Sequence, residues 1–168
     1  AQTLNQHADM ALRRAKAAGG GRYQFFDTAL HEEVEADERI KAALRPALEA
    51  GQFSIALQPR VDLRTGLPCG AEALVRWYHP ELGQIPPGRF IPIAEASGQI
   101  LPLSGWIMAE VFRIAARWRI CSQTLGVPLL PIAMNLSTVQ LHNDALRGEL
   151  QSLGLAHNVP PSAIQLEV

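Results

Sequence analysis

The residues with chemical capacity sit inside apolar segments. Glu72 and Arg76 lie in GAEALVRWYHP, residues 70–80, a run otherwise suited to a buried strand. A buried carboxylate or guanidinium is costly unless something completes it. The two can complete each other, since both fall on one strand face. They can also face a polar interior that brings in an external partner. Three more polar side chains stand in similar settings: Gln58 in FSIALQP, Asn135 in PLLPIAMNLS and Glu167 in PPSAIQLEV. Read with period two, each strand has one apolar face and one face carrying a polar residue. Phe53, Ile55 and Leu57 oppose Ser54, Ala56 and Gln58; Ala73, Val75 and Trp77 oppose Glu72, Leu74 and Arg76. Leu130, Ile132 and Met134 oppose Ala133 and Asn135, and Ile164, Leu166 and Val168 oppose Gln165 and Glu167.

The elements that must position these residues alternate between strand and helix from Phe53 onward. FSIALQP is a strand, RTG a turn, GAEALVRW a second strand, and HPELGQIPPGRF a Gly/Pro-rich loop. Ile107, Val111, Ile114 and Trp118 have helical spacing. Ser137 with Gln140 forms a capping box, predicted to open a helix running to about Leu153. Alternating strands and helices predict a parallel-type sheet with helices outside. A doubly wound sheet needs two apolar faces, whereas a barrel supports a site at its strand ends. Gln58, Asn135 and Glu167 sit at or near the C-terminal ends of their strands, and Glu72 sits early in its own. The expectation is that these residues converge on one mouth.

Upstream, residues 28–51 read as a charged amphipathic linker helix, with Pro46 expected to kink or restart it. Residues 1–27 read as a helix from Ala8 to Ala18, a stop at Gly19-Gly20-Gly21 and a strand over RYQFF, a piece too small to bury its own core.

The 168 residues are 48% hydrophobic, enough for one domain core. A formal net charge of -1 gives no global basic field that would draw the chain to a nucleic-acid polymer. No apolar run is long enough to span a membrane, and the first ten residues are not a signal peptide. The start without Met suggests a chain that begins within a longer protein. The two cysteines, Cys69 and Cys121, lack metal-ligand spacing and are expected to be reduced thiols in a cytoplasmic protein.

LQPRVDLRTGLPCGAEALVRWYHPELGQIPPGRFIPIAEASGQI resembles the start of an EAL domain, the cyclic-di-GMP phosphodiesterase module. The similarity continues through WIMAEVFRIAARW, IAMNLSTVQL and IQLEV, and covers about residues 40 to 168. QP, EALVRW, HP, FIPIAE and NLS occur jointly, in order and at family-like spacing. Residues 4–26 resemble the last helix and strand of a GGDEF, or diguanylate cyclase, domain, through ADMAL, AK and the RY ending. They depart from that family at Arg13 and at Gly20-Gly21, and the GGDEF signature is absent from the chain. Cyclase activity from these residues alone is therefore not expected. The lysine matching Lys16 can contact nucleotide phosphate in that family; here a surface lysine is the simpler reading.

The resemblance implies three segments: 1–27, the C-terminal remnant of a GGDEF domain; 28–51, the linker helix; and 52–168, the N-terminal half of an EAL domain. It implies a partial TIM-like (β/α) barrel. It implies hydrolysis of cyclic-di-GMP to linear pGpG by two divalent cations, Mg²⁺ or Mn²⁺, about 3.5–4 Å apart. Glu72, Asn135 and Glu167 match metal ligands, with Glu72 also catalytic. Gln58, Leu74 and Arg76 match substrate contacts, and Arg76 supplies a planar positive fork for a phosphate. The plainer readings are a Glu72–Arg76 pair, an Asn135 that closes a strand, a solvent-facing Glu167 and a core Leu74. His79 reads as a turn residue, Pro86 and Pro87 as loop architecture, Glu95 as ordering a loop or capping a helix, and Trp77, Trp106 and Trp118 as core.

The family's Asp-Asp pair, lysine and late glutamate are not in these residues. A barrel takes about 250 residues, so the chain alone is expected to be poorly stable and inactive. The competing readings are a degenerate EAL domain that only binds cyclic-di-GMP and a bifunctional protein governed by its upstream GGDEF domain. A homodimer, and membrane attachment through upstream segments, are also compatible with the family.

Overall fold

The computed structural model describes residues 8, 9, 11–13, 15, 16, 28–141 and 143–167. The chain divides into two compact units, Ala1–Ala43 and Leu44–Val168. In the first, the described residues between 8 and 16 are helical, with Ala11 and Ala15 buried one turn apart. The expected glycine stop and the RYQFF strand lie outside the described residues. Helix α1, Thr28–Glu49, falls where the linker helix is expected. Its solvated face carries Glu35–Arg39 and Glu38–Lys41 pairs at helical spacing. Pro46 does not restart the helix: α1 runs through it, and Ala50 N donates to Pro46 O at 2.9 Å. Pro46 stands in the last turn, so its missing N–H removes one bond near an end that frays in any case.

The second unit is built on a mixed sheet of five strands: β1 (Phe53–Val61), β2 (Pro68–His79), β3 (Gly83–Ile85), β4 (Ile132–Asn135) and β5 (Ile164–Glu167). Its main path runs β1-β2-β4-β5, with β3 paired to β2. β2, β4 and β5 are parallel, as the strand–helix alternation requires. The expectation of a parallel-type sheet fails at β1 and β3, which pair antiparallel to β2. The link between β1 and β2 is too short for a parallel crossover. Asp62 turns it instead: its Oδ1 accepts from Arg64 N at 2.8 Å and Thr65 N at 3.1 Å, and Gly66 supplies φ +70°. β3 lies inside the segment expected to be a loop, because Gly-Gln-Ile has little strand character of its own. His79 makes the turn into it, accepting at Nδ1 from Glu81 N and Leu82 N.

β2 shows the strict alternation read from the sequence. Ala71, Ala73, Val75 and Trp77 are buried, while Glu72, Leu74 and Arg76 are half-buried. Through Ala73 the buried face meets helix α3, Ile100–Leu125. Ala73, Ile132 and Met134 meet Met108, Val111, Phe112 and Ala115 in one core. Trp77 is fully enclosed, stacked on Phe53 at 5.1 Å and edge-on to Phe90 at 5.5 Å. Phe90 belongs to helix α2, Pro87–Ala96, which Pro86 caps and Pro87 begins. Trp106 and Trp118 are only half-buried, with Trp118 at the margin of the core.

The capping box forms: Ser137 N donates to Gln140 Oε1 at 3.0 Å, and Gln140 N to Ser137 Oγ at 3.4 Å. The helix it opens, α4, covers only Thr138–Leu141 and does not run on to Leu153. Asn143 accepts from Ala145 N at 3.0 Å, a local bond that competes with helix continuation. Helix α5 then spans Leu146–His157.

Two outcomes follow from this packing. A Cβ on Gly70 would stand 2.9 Å from Pro131 O, the carbonyl to which Ala71 N donates where β2 meets the segment entering β4. Gly70→Ala is expected to cost about 1–3 kcal/mol in chemical denaturation, through strain rather than a cavity. On α3, a hydrogen bond from Arg113 holds the Glu110 carboxyl below its ordinary 4.5, against a smaller opposing effect of burial; the charges of Arg113 and Arg117 add to the lowering. The unfolded chain binds that proton more tightly than the folded one. The contribution to stability is therefore full above pH 4.5 and is lost as pH falls through the lower folded value. Glu110→Gln should flatten only this acid limb in denaturation followed against pH.

Candidate functional site

One face of the sheet collects the polar residues. Gln58 stands directly across from Glu72 in the β1–β2 register, Leu74 across from Ala56 and Arg76 across from Ser54. On the other side, Glu72 aligns with Ala133, and Asn135 aligns with Glu167. Cross-strand partners point the same way and alternate residues share a face. Gln58, Glu72, Leu74, Arg76, Asn135 and Glu167 are thus on the face opposite the α3 core.

Strand ends do not account for Gln58. β1 runs antiparallel to β2, so its C-terminal end lies at the opposite edge from those of β4 and β5. Gln58 reaches Glu72 through register. Glu72, early in β2, aligns with the second residue of β4 because the hairpin extends β2 at its start.

Glu72 and Asn135 are in direct contact: Asn135 Nδ2 donates to Glu72 Oε1 at 2.8 Å. Glu72 is half-buried and Asn135 exposed. Arg76 turns back on its own strand, its Nη1 donating to Val75 O at 3.0 Å. Leu74 is half-buried and Gln58 exposed.

Arg60 is the residue that sequence reading missed. Its Nη1 donates to Glu167 Oε1 at 3.0 Å and to Gln165 Oε1 at 2.9 Å. The strand in FSIALQP was expected to stop at Pro59, but β1 continues to Val61. Extending the period-two pattern from Gln58 by one step would have put Arg60 on the same face. In a flat sheet, three strand spacings alone would separate β1 from β5 by roughly 14 Å, with a further offset along the strands. The contact therefore requires the sheet to curl, with the polar face concave.

The donor set suits a hard cation. Glu72 and Glu167 offer carboxylates and Asn135 an amide, with oxygen as the donor atom throughout. The Asn135 amide now turns its nitrogen to Glu72; a half-turn exchanges nitrogen for oxygen and puts two oxygen donors side by side. The thiols of Cys69 and Cys121 are free and exposed. Among the described residues, no group of three His, Cys, Asp or Glu side chains forms a ready metal cluster. A cation here would depend on the amide and on acids beyond the two present.

Among the described residues, no helix is long and apolar enough to cross a membrane. The EAL domain family model matches residues 41–168. The chain is 35% identical over 162 residues to the bifunctional diguanylate cyclase/cyclic di-GMP phosphodiesterase MucR of Pseudomonas aeruginosa, covering 96% of this chain and 23% of that protein. It is 38% identical over 156 residues to the cyclic di-GMP phosphodiesterase PdeR of Escherichia coli, covering 90% of this chain and 23% of the relative. A solved structure of the PaMucR phosphodiesterase in complex with c-di-GMP superposes with a TM-score of 0.71 at 35% identity, covering 77% of this chain and 51% of that one. The chain spans about a fifth of the length of the curated relatives it matches.

If the concave face holds a divalent cation, Glu72→Ala and Glu167→Ala should each weaken Mn²⁺ binding to the intact protein at least about tenfold, as read by calorimetry.

Proposed function

Because the chain belongs to the EAL domain family over residues 41–168, we propose that it forms part of a cyclic-di-GMP phosphodiesterase. The observation that carries this reading is the meeting of Glu72 and Asn135 on the concave face, with Glu167 in register beside Asn135. Residues 52–168 are read as the first sector of a TIM-like barrel; the curl of the sheet and the parallel β2-β4-β5 run support this. Residues 28–51 link it to 1–27, read as the end of a GGDEF domain. The match to MucR supports that assignment, because it extends over 96% of the chain, well upstream of residue 41.

The reaction is the addition of water to one phosphodiester of cyclic-di-GMP. A P–O bond forms to water, the P–O bond to one ribose 3′-oxygen breaks, and a proton passes to that leaving oxygen, giving linear pGpG. Two bound divalent cations, Mg²⁺ or Mn²⁺, would lower the pKa of the water and neutralise phosphoryl charge. This chain's residues supply binding and orientation. Glu72, Asn135 and Glu167 would hold the cations by oxygen. Arg76, free to turn from Val75 O, presents a bidentate fork to a phosphate. Leu74 offers an apolar surface at the level of Ala56, and Gln58 an amide opposite Glu72. On this reading, further acids and a lysine come from beyond residue 168, and residues 1–168 alone are inactive.

The test is turnover of cyclic-di-GMP by the intact protein, with pGpG resolved by chromatography. Turnover should need Mg²⁺ or Mn²⁺ and stop with EDTA. Glu72→Ala should lower it by about a hundred- to a thousandfold, on the scale of losing a principal electrostatic element of an active site. Binding of cyclic-di-GMP without turnover would favour a receptor instead. Full turnover in Glu72→Ala would remove the assigned role.

A further inference from the structure

We propose that Arg60 is a positioning residue that competes with a divalent cation for the Glu167 carboxylate, and so sets how tightly the concave face takes metal. The proposal rests on the reading of Glu72, Asn135 and Glu167 as cation ligands. Arg60 Nη1 touches two acceptors together, Glu167 Oε1 at 3.0 Å and Gln165 Oε1 at 2.9 Å. Both belong to β5, two residues apart on one face, while Arg60 belongs to β1, at the other end of the β1-β2-β4-β5 path. The side chain therefore crosses the face that carries the polar set. Gln165 is neutral: it anchors the guanidinium and leaves the full positive charge for Glu167.

The guanidinium brings a planar, positively charged fork to Glu167. A cation approaching Glu167 must take oxygen lone pairs that Arg60 already engages. If Arg60 holds its place on Oε1, the cation binds beside a like charge. If Arg60 yields, the ion pair is lost. Either course weakens cation binding relative to a chain without Arg60. The effect is moderate, because Arg60 and Glu167 remain 42% and 40% exposed and water screens them. A purely structural tie across the sheet predicts the reverse, since its removal would loosen Glu167 and weaken the cation.

Mn²⁺ binding to the intact protein, followed by the paramagnetic resonance signal of free Mn²⁺, tests this without any turnover. Arg60→Met should tighten binding about three- to tenfold. Arg60→Gln removes the charge but keeps a polar arm for Gln165, and should tighten it similarly. The gap to the unsubstituted protein should narrow in concentrated salt. Unchanged or weaker binding in both variants, with binding still lost in Glu72→Ala, would overturn the role of Arg60 and leave the cation site standing. Unchanged binding in Glu72→Ala would overturn the cation site and this proposal with it.

Discussion

The parallel register of β2 against β4 is the constraint on which the site depends. It sets Glu72 level with Ala133, and so places Asn135 close enough for its amide to reach the Glu72 carboxylate at 2.8 Å. A slip of one residue would turn every side chain of a strand to the opposite face. Glu72 would then enter the apolar face, and Trp77 would leave its enclosure beside Phe53 and Phe90. The cost of burying a carboxylate there, together with the loss of an enclosed indole, locks the register. Gly70 takes part, since only a residue without Cβ lets β2 begin so close to Pro131.

The same strand thus serves two demands. One face of β2 is buried, Ala73 against Met108, Val111, Phe112 and Ala115 of α3 and Trp77 against Phe53 and Phe90. The other keeps Glu72, Leu74 and Arg76 half-open to water. Rigidity comes from the packed face, and the polar side chains stand on the open one. Glu72 is carried within a strand paired on both sides, so its position is held more firmly than a loop would allow. The hairpin contributes a second rigid edge, which delivers Gln58 opposite Glu72 and Arg60 towards β5.

Charge balance on the concave face is correspondingly local. Two carboxylates are present, and the cations nearest them behave differently. Arg76 donates from Nη1 to its own backbone at Val75 O, while Arg60 reaches Glu167. Glu72 has an amide for a partner. The oxygen atoms gathered on this face are donors of the kind a hard cation takes.

Much of this was legible in the residues. Period-two alternation in β2 needs no tertiary information, and neither does the Ser137–Gln140 box, because both are local patterns of side chain against backbone. The order and spacing of QP, EALVRW, HP, FIPIAE and NLS identified the family, and the faces of Gln58, Glu72, Asn135 and Glu167 followed from parity. The direction of β1, the short strand β3 and the break after Leu141 were not legible. Strand direction depends on whether a turn closes or a crossover leaves, β3 exists only because β2 offers it an edge, and the break depends on which bond Asn143 finds. Arg60 shows the division most clearly. Its face could be counted from Gln58, but that it meets Glu167 was decided by the curl of the sheet, which brings strands three places apart within reach of one side chain.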